Sequence, residues 1–331
     1  MRTPSLNVIT RTSKIKPINV KNREILKWIL EIALIMILSL IYYINLPLST
    51  SKVLYIPQGS INKIITYLAY KKVDVSPLDG YLLRLVGMPQ QGWIYMGEER
   101  VTHGDFLYKL ATAKAAMKDV TLIPGETTYV FLSQLAKTMD LDRNILQDHY
   151  DQMTPIKEGA LVPNTYKLPL GISEKEAIRL LLNRSIKQMK QLSLKIFGIY
   201  NEKKWFQYVT LASVIQKEAA DKNDMAFVSS VIHNRLTKGM KLQMDGTLNY
   251  GKYSHVKITA QRIRSDESRY NTYKYVGLPE SPVCNVSFTA IKAAIFPAKT
   301  DYLYFVKTKS GQHKYARNYS THLRNIKAAT K

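Results

Sequence analysis

From Trp28 to Leu46 the chain is apolar on every face, interrupted only by Glu31, Ser39 and Asn45. At about 1.5 Å per residue such a helix spans about 28 Å, the hydrocarbon thickness of a bilayer. Trp28, Tyr42 and Tyr43 stand near its ends, where interfacial anchors belong. The 27 residues before it and Asn45-Leu46-Pro47-Leu48 after it do not match a short signal sequence with an Ala-x-Ala cleavage site. A core helix would show a polar face. The pattern therefore predicts a single membrane span over 28–46.

Beyond the span, apolar positions recur in short, mixed periods. Ile56-Pro57 is followed thirteen residues on by Ala69, and Ile123-Pro124 thirteen residues on by Ala136. Each reads as a short strand ending at a turn, then an amphipathic helix. Leu82 to Val101 reads as short strands around Gly87-Met88-Pro89 and Gly92, and 161–166 as an extended segment. Ser173 with Glu176 three residues on forms a capping pattern that opens a helix to about Lys195, which Gly198 ends. The character changes after Glu202. The sequence thus predicts an α+β protein with a tail over 1–27, a span over 28–46, an N-terminal exported region over 47–200 and a second domain over 201–331.

Two helices are expected in that second domain. Over 203–219, Leu211, Val214, Ile215 and Glu218 share one face, while Gln216 and Lys217 point away from it. A carboxylate in line with an apolar stripe, near a helix C-terminus, is disfavoured in its charged form by burial and by the helix dipole. A carboxyl kept protonated near neutral pH is what a general acid requires. The alternative is a Glu218 ion-paired to Arg235, which falls on the stripe Val228, Val231, Ile232, Arg235 of a helix over 224–238, with Asp224 as candidate N-cap and Gly239 as its stop. Then come two clusters of hydrogen-bonding and aromatic side chains, 242–251 and Tyr270-Asn271-Thr272-Tyr273. Taken singly they are ordinary turn chemistry; together they suit a sugar polymer. Tyr302 to Val306 reads as a core strand.

Charge and cysteine content narrow the function. The chain of 331 residues holds 48 Lys+Arg against 25 Asp+Glu, a formal net charge of +23, which favours a polyanionic partner. Seven basic residues, Arg2 to Lys27, precede the apolar run and only Lys52 follows closely. The distribution predicts an N-terminus inside and 47–331 outside the cytoplasmic membrane, which argues against nucleic acid as the partner. With Cys284 the only cysteine and the six His outside any metal-binding spacing, neither an internal disulfide nor a metal site is expected.

The stretch 211–218, Asn234-Arg235-Leu236, Leu242-Gln243-x-Asp245-x-Thr247, Tyr250-Gly251, 270–273, Gly277-Leu278-Pro279, Lys292 to Thr300 and 302–306 together resemble the MltG (YceG-like) endolytic murein transglycosylases. The likeness is strong over about 205–306 and looser over about 53–185, where it implies a LysM-like glycan-binding unit. It implies cleavage between N-acetylmuramic acid and N-acetylglucosamine within peptidoglycan strands, leaving 1,6-anhydro ends. Glu218 would be the catalytic residue, with Gln243, Asp245, Thr247, Tyr250, Asn271 and Tyr273 around the sugar. No metal or organic cofactor is implied, and peptidoglycan synthases are candidate partners. Two departures stand out: Gln216 replaces a frequent acidic residue, and Gly246 replaces a frequent Pro, which should loosen the turn beside Asp245. Two other readings stay open: a hydrolase with Asp245 as second carboxyl, and a non-catalytic wall-binding anchor.

Overall fold

In the computed structural model, residues 20–330 are described; most of the basic N-terminal tail lies outside them. The chain forms two compact units, one up to Lys114 and one from Ala115 to Lys331.

The first unit begins with α1 (Val20–Asn45). Within its stretch Asn22–Asn45 an 18-residue window has a mean hydropathy of 2.2 with none of it buried, so the helix is long and apolar enough to cross a membrane. β1 (Pro47–Ser49) and β2 (Val53–Ile56) follow, then α2 (Ile61–Tyr70), α3 (Pro77–Val86), β3 (Gly92–Tyr95), β4 (Arg100–Thr102) and α4 (His103–Thr112). β2 pairs antiparallel with β3, from Val53 against Tyr95 to Ile56 against Gly92, and β1 pairs with β4. Ile56, Ile64, Leu68, Leu83, Ile94 and Phe106 pack together beneath the strands. The segment from Leu82, which reads as strand in the sequence, continues α3 to Val86. A full capping box at Ser76 and Asp79 with Pro77 in the first turn starts that helix, which local strand propensity does not reveal. Asp79 is fully buried and also receives the Tyr43 hydroxyl at 2.8 Å. Tyr43 thus ties the end of α1 to α3, whereas Tyr42 is exposed.

The second unit opens with β5 (Met117–Leu122), α5 (Thr128–Met139), α6 (Arg143–Met153) and β6 (Asn164–Pro169). β5 and β6 pair antiparallel over six positions. Both Ile-Pro echoes of the sequence therefore end a strand that precedes a helix, and each belongs to a strand–helix–helix–strand segment closed by its own two-stranded sheet. α7 (Glu174–Phe197) starts at Ser173, whose Oγ accepts the Glu176 N–H, and stops at Gly198 with φ 71°. α8 (Glu202–Glu218), α9 (Met225–Thr237), α10 (Ala260–Ser265), α11 (Phe288–Ile295), the hairpin β7 (Tyr304–Lys307) and β8 (His313–Ala316), and α12 (Tyr319–Thr330) complete it. Two 3-10 turns, Asp245–Leu248 and Gly251–Tyr253, lie between α9 and α10.

The boundary expected near residue 200 falls inside this unit. Val162 and Met189, from before it, pack in one core with Trp205, Val209, Val228 and Ile291, from after it. Gly198 marks only the end of a helix. β7 is half-buried rather than a core strand, because its sheet has two strands and its flank faces solvent.

Candidate active site

α8 carries the site. Asn201 caps its first turn, accepting the Lys204 N–H at 2.9 Å. Leu211, Val214 and Ile215 are buried, and Glu218 follows as the last helical residue. Burying these side chains fixes the helix rotation, so the carboxyl of Glu218 must project along the packed face. It meets the turn at Asp245–Leu248, where Oε1 accepts the Gly246 N–H at 2.8 Å.

The electrostatics of Glu218 follow from this enclosure. The residue keeps an opening to solvent, but packed atoms surround the carboxyl itself, and burial pushes it up to about 7. The Gly246 N–H works against that rise, the Asp245 charge adds to it, and His313 and Arg235 offset part of it. Arg235 does not pair with Glu218. Its Nε donates to the Leu303 carbonyl and its Nη1 to the Leu242 carbonyl, with the guanidinium over the Tyr304 ring at 5.3 Å. It locks the strand and loop that frame the site.

Gly246 packs closely against the end of α8. A Cβ there would lie 2.6 Å from Lys217 Cβ and 2.8 Å from Glu218 Oε1. Its φ is not left-handed, so the close approach to α8, and not the backbone conformation, is what suits glycine here.

The other residues expected around a sugar divide into two groups. Asp245 and Gln243 are exposed, and Asp245 Oδ1 accepts the Tyr273 hydroxyl at 2.7 Å. Gln243 adopts φ 48°, with its N–H on the Thr272 carbonyl. Thr247 and Asn271 are instead fully buried. Thr247 Oγ1 donates to the Met244 carbonyl at 2.7 Å. Asn271 Nδ2 donates to the Ile263 and Asp266 carbonyls, both at 2.8 Å. These two shape the loops and have no group left facing outward. Tyr250 is intermediate: its ring stacks on Tyr270 at 4.2 Å and its hydroxyl reaches Asp266.

Several supporting residues escaped the sequence reading. Gln216 points off the apolar face, yet its Oε1 accepts both the N–H and the hydroxyl of Ser287, at 3.2 and 2.8 Å, joining α8 to the start of α11. Lys217 donates to Ser254 Oγ at 3.1 Å, and Ser254 in turn donates to the buried Glu126 at 2.8 Å. Burial alone would raise Glu126, but donors from Ser254, Thr127 N–H and His255 outweigh it and hold the carboxyl below its ordinary range. Asp224 makes no side-chain cap on α9. It accepts the Ala220 N–H at 2.9 Å, His313 Nδ1 at 2.7 Å and the Tyr315 hydroxyl, which stitches β8 to the turn after Glu218. The only sequence signal for these partners is their residue type. Cys284 is fully buried with its thiol pushed up to about 12, consistent with a packing role.

Among the described residues no three His, Cys, Asp or Glu side chains converge as metal ligands. A cavity of about 560 Å³ lined by Phe206, Tyr270 and Pro279 lies along the earlier turns of α8 and does not include Glu218. The chemistry is located by the carboxyl rather than by the larger void.

Fold and site together define a mixed α/β protein with one enclosed, proton-retaining carboxyl at a helix end. The YceG-like family model matches residues 54–328, and the chain belongs to that family. An endolytic murein transglycosylase of Bacillus subtilis is 29% identical over 236 residues, 69% of this chain and 64% of that protein. An endolytic murein transglycosylase of Streptococcus pneumoniae is 35% identical over 177 residues, 51% of this chain and 31% of that protein. The chain thus spans less than two thirds of either relative's length. The crystal structure of a YceG-like protein of Listeria monocytogenes matches with a TM-score of 0.55 at 24% identity, covering 84% of this chain and 99% of that one. At that identity the match speaks for the fold.

Proposed function

We propose that the protein is an endolytic peptidoglycan lytic transglycosylase with Glu218 as its acid and base. The observation that carries this reading is the enclosed Glu218 carboxyl at the end of α8, held by the Gly246 N–H at 2.8 Å, where burial raises it to about 7, so that it keeps a proton near neutral pH more readily than an ordinary carboxyl does. Glu218 would donate its proton to the glycosidic oxygen as the bond to the muramic acid anomeric carbon breaks. The resulting carboxylate would then remove the proton from that sugar's 6-hydroxyl as O6 bonds to the same carbon. The products are a free 4-hydroxyl on the leaving sugar and a 1,6-anhydro end, with no water consumed. One carboxyl suffices because the nucleophile belongs to the substrate, whereas most glycosidases need two.

Asp245, Gln243 and Tyr273 would contact the sugar directly, with Tyr250 beside them; Thr247 and Asn271 would act through loop shape. α1 would anchor the protein in the cytoplasmic membrane with 47–331 outside, and the β2–α2–α3–β3 segment would add a LysM-like grip on the strand. Trimming or terminating nascent strands beside a synthase fits that arrangement. A hydrolase reading retains one supporting observation, the exposed Asp245 carboxylate beside Glu218.

Purified sacculi digested with wild type and Glu218→Gln test the proposal. Wild type should release fragments with anhydro ends, one water lighter than reducing ends. Glu218→Gln at matched thermal stability should lose about 10²–10⁴ in rate. Near-normal release by that variant would refute Glu218, reducing ends would favour the hydrolase, and no product from wild type would favour the wall-binding anchor.

A further inference from the structure

A pocket of about 270 Å³ opens at the turn between α8 and α9, beginning two residues after Glu218. It has no part in the proton transfers above. Its floor is built firmly: the His313 side chain is 3% exposed and is fixed through Nδ1 on Asp224, which also holds the Ala220 N–H and the Tyr315 hydroxyl. β8 and the turn that follows the proposed catalytic carboxyl are therefore one rigid piece around this pocket.

Its walls combine an aromatic face with amide and carboxylate groups. Phe227, in the first turn of α9, is 42% exposed although Met225 and Val228 beside it are buried. Its ring leans on Tyr315 at 5.7 Å, which holds it in place with part of its surface open. A Phe so placed costs solvation unless something covers it. Around it stand the exposed amides of Asn223 and Gln312 and the exposed carboxylate of Asp221. An aromatic platform ringed by amide and carboxylate groups matches a sugar, with its apolar ring face and its hydroxyl and acetamido edges.

Charge selects which sugar. On a chain of net charge +23, this pocket is lined by two carboxylates, Asp221 and Asp224, and by no Lys or Arg; Asp224 is paired with His313, so the exposed Asp221 carries the charge that an incoming ligand meets. Asp224 is held well inside its ionised range, since its donors outweigh the effect of burial. A lactyl or peptide carboxylate would be repelled here, and a neutral ring would not.

We propose that this pocket is a second sugar subsite, which takes a neutral N-acetylhexosamine ring of the same glycan strand near the bond presented to Glu218. The proposal rests on the glycan-cleaving reading and names how that site holds its strand.

The test uses the full chain in detergent, carrying Glu218→Gln to prevent turnover, titrated by calorimetry with chito-oligosaccharides of increasing length. Affinity should rise in a step once the oligomer is long enough to reach the pocket. Adding Phe227→Ala should remove that step, weakening the long oligomers about five- to tenfold and leaving the shortest binder unchanged. Gln312→Ala should act in the same direction. Phe227 and Gln312 are exposed, so both variants should fold. Equal binding of long oligomers with and without Phe227, or no binding of any oligomer, overturns the subsite. Stronger Phe227-dependent binding of an acidic peptide-bearing muropeptide than of the neutral oligomer overturns its selectivity. Cleavage of sacculi by otherwise wild-type protein separates the two ideas. Undiminished cleavage with Phe227→Ala removes the subsite and spares the enzyme. Phe227-dependent binding without any wild-type cleavage removes the enzyme and spares the subsite.

Discussion

Asp245→Asn separates a one-carboxyl mechanism from a two-carboxyl one. Asp245 opens the turn whose next residue donates to Glu218, and its charge raises the Glu218 carboxyl. Asn occupies the same volume and its Oδ1 can still accept from Tyr273, so the substitution removes charge and little else. One like charge with a solvent-exposed side is worth about 0.5–1 pKa unit, or about 0.7–1.4 kcal/mol. Glu218, now at about 7, should move down by that amount. The acid form is the active one, so the alkaline limb of kcat/KM should shift to lower pH by about 0.5–1 unit. Below the limb the variant should keep activity within several-fold of wild type; above it, the loss should reach about three- to tenfold. The assay is anhydro-fragment release from sacculi across the pH range, at substrate levels well below saturation. An unmoved or upward-moved limb would show that Asp245 does not act on Glu218. A loss above about 100-fold at every pH would make Asp245 a second catalytic carboxyl and end the one-carboxyl mechanism.

Gln216→Ala should lose about 1–2 kcal/mol in chemical denaturation, since Ser287 loses its acceptor at the start of α11; an unchanged midpoint would show that this link is idle. Gly246→Ala should cost at least about tenfold in kcat, because the new methyl must displace Lys217 or Glu218; full activity would mean the turn yields freely. Stability should fall as pH rises from about 4.5 towards 8, because Glu158, pushed up to about 8, and Glu218, pushed up to about 7, hold protons in the folded chain that the unfolded chain has already released. Glu158→Gln should remove its own part of that slope, about 2–5 kcal/mol across the window, and leave the part due to Glu218. A wild-type denaturation midpoint equal at both ends of the window would contradict it.

The parts legible in the sequence are those fixed by local period. α8 and α9 announce themselves because burying Leu211, Val214 and Ile215, or Val228, Val231 and Ile232, demands helical spacing. α3 was obscured because Gly87-Met88-Pro89 and Gly92 speak for turns, although Ser76-Pro77 with Asp79 three residues after Ser76 is a capping pattern of the same kind as Ser173 with Glu176. The unit boundary at Lys114 and Ala115 carries no Gly or Pro to mark it. Gly198 is a louder signal that merely ends α7. At the site, a carboxylate in line with an apolar stripe was visible, but its donor was not, since Gly246 offers a backbone group delivered by tertiary folding. Asp224 has the chemistry of an N-cap, yet His313 and Tyr315 from β8, about ninety residues away in sequence, engage it instead. No local rule weighs such partners.

Four acidic residues of the second unit show how the fold sorts its protons. Glu126 receives three donors, from Thr127, Ser254 and His255, and Asp224 receives three, from Ala220, His313 and Tyr315. Both are held below their ordinary range despite burial. Glu158 is bound by Thr128 alone and Glu218 by Gly246 alone, and both are raised. Depth of enclosure and donor number together set the sign: the carboxyls of Glu158 and Glu218 are enclosed more completely than those of Glu126 and Asp224, and burial favours the acid while each N–H or O–H favours the carboxylate. Of the two raised carboxyls, Glu158 is sealed at 5% exposure, so no substrate can reach its proton. Glu218 alone combines a retained proton with an opening to solvent and a neighbouring exposed aspartate. A strand laid against that opening would meet one group able both to give a proton and to take one back, and that is all the proposed reaction asks of the protein.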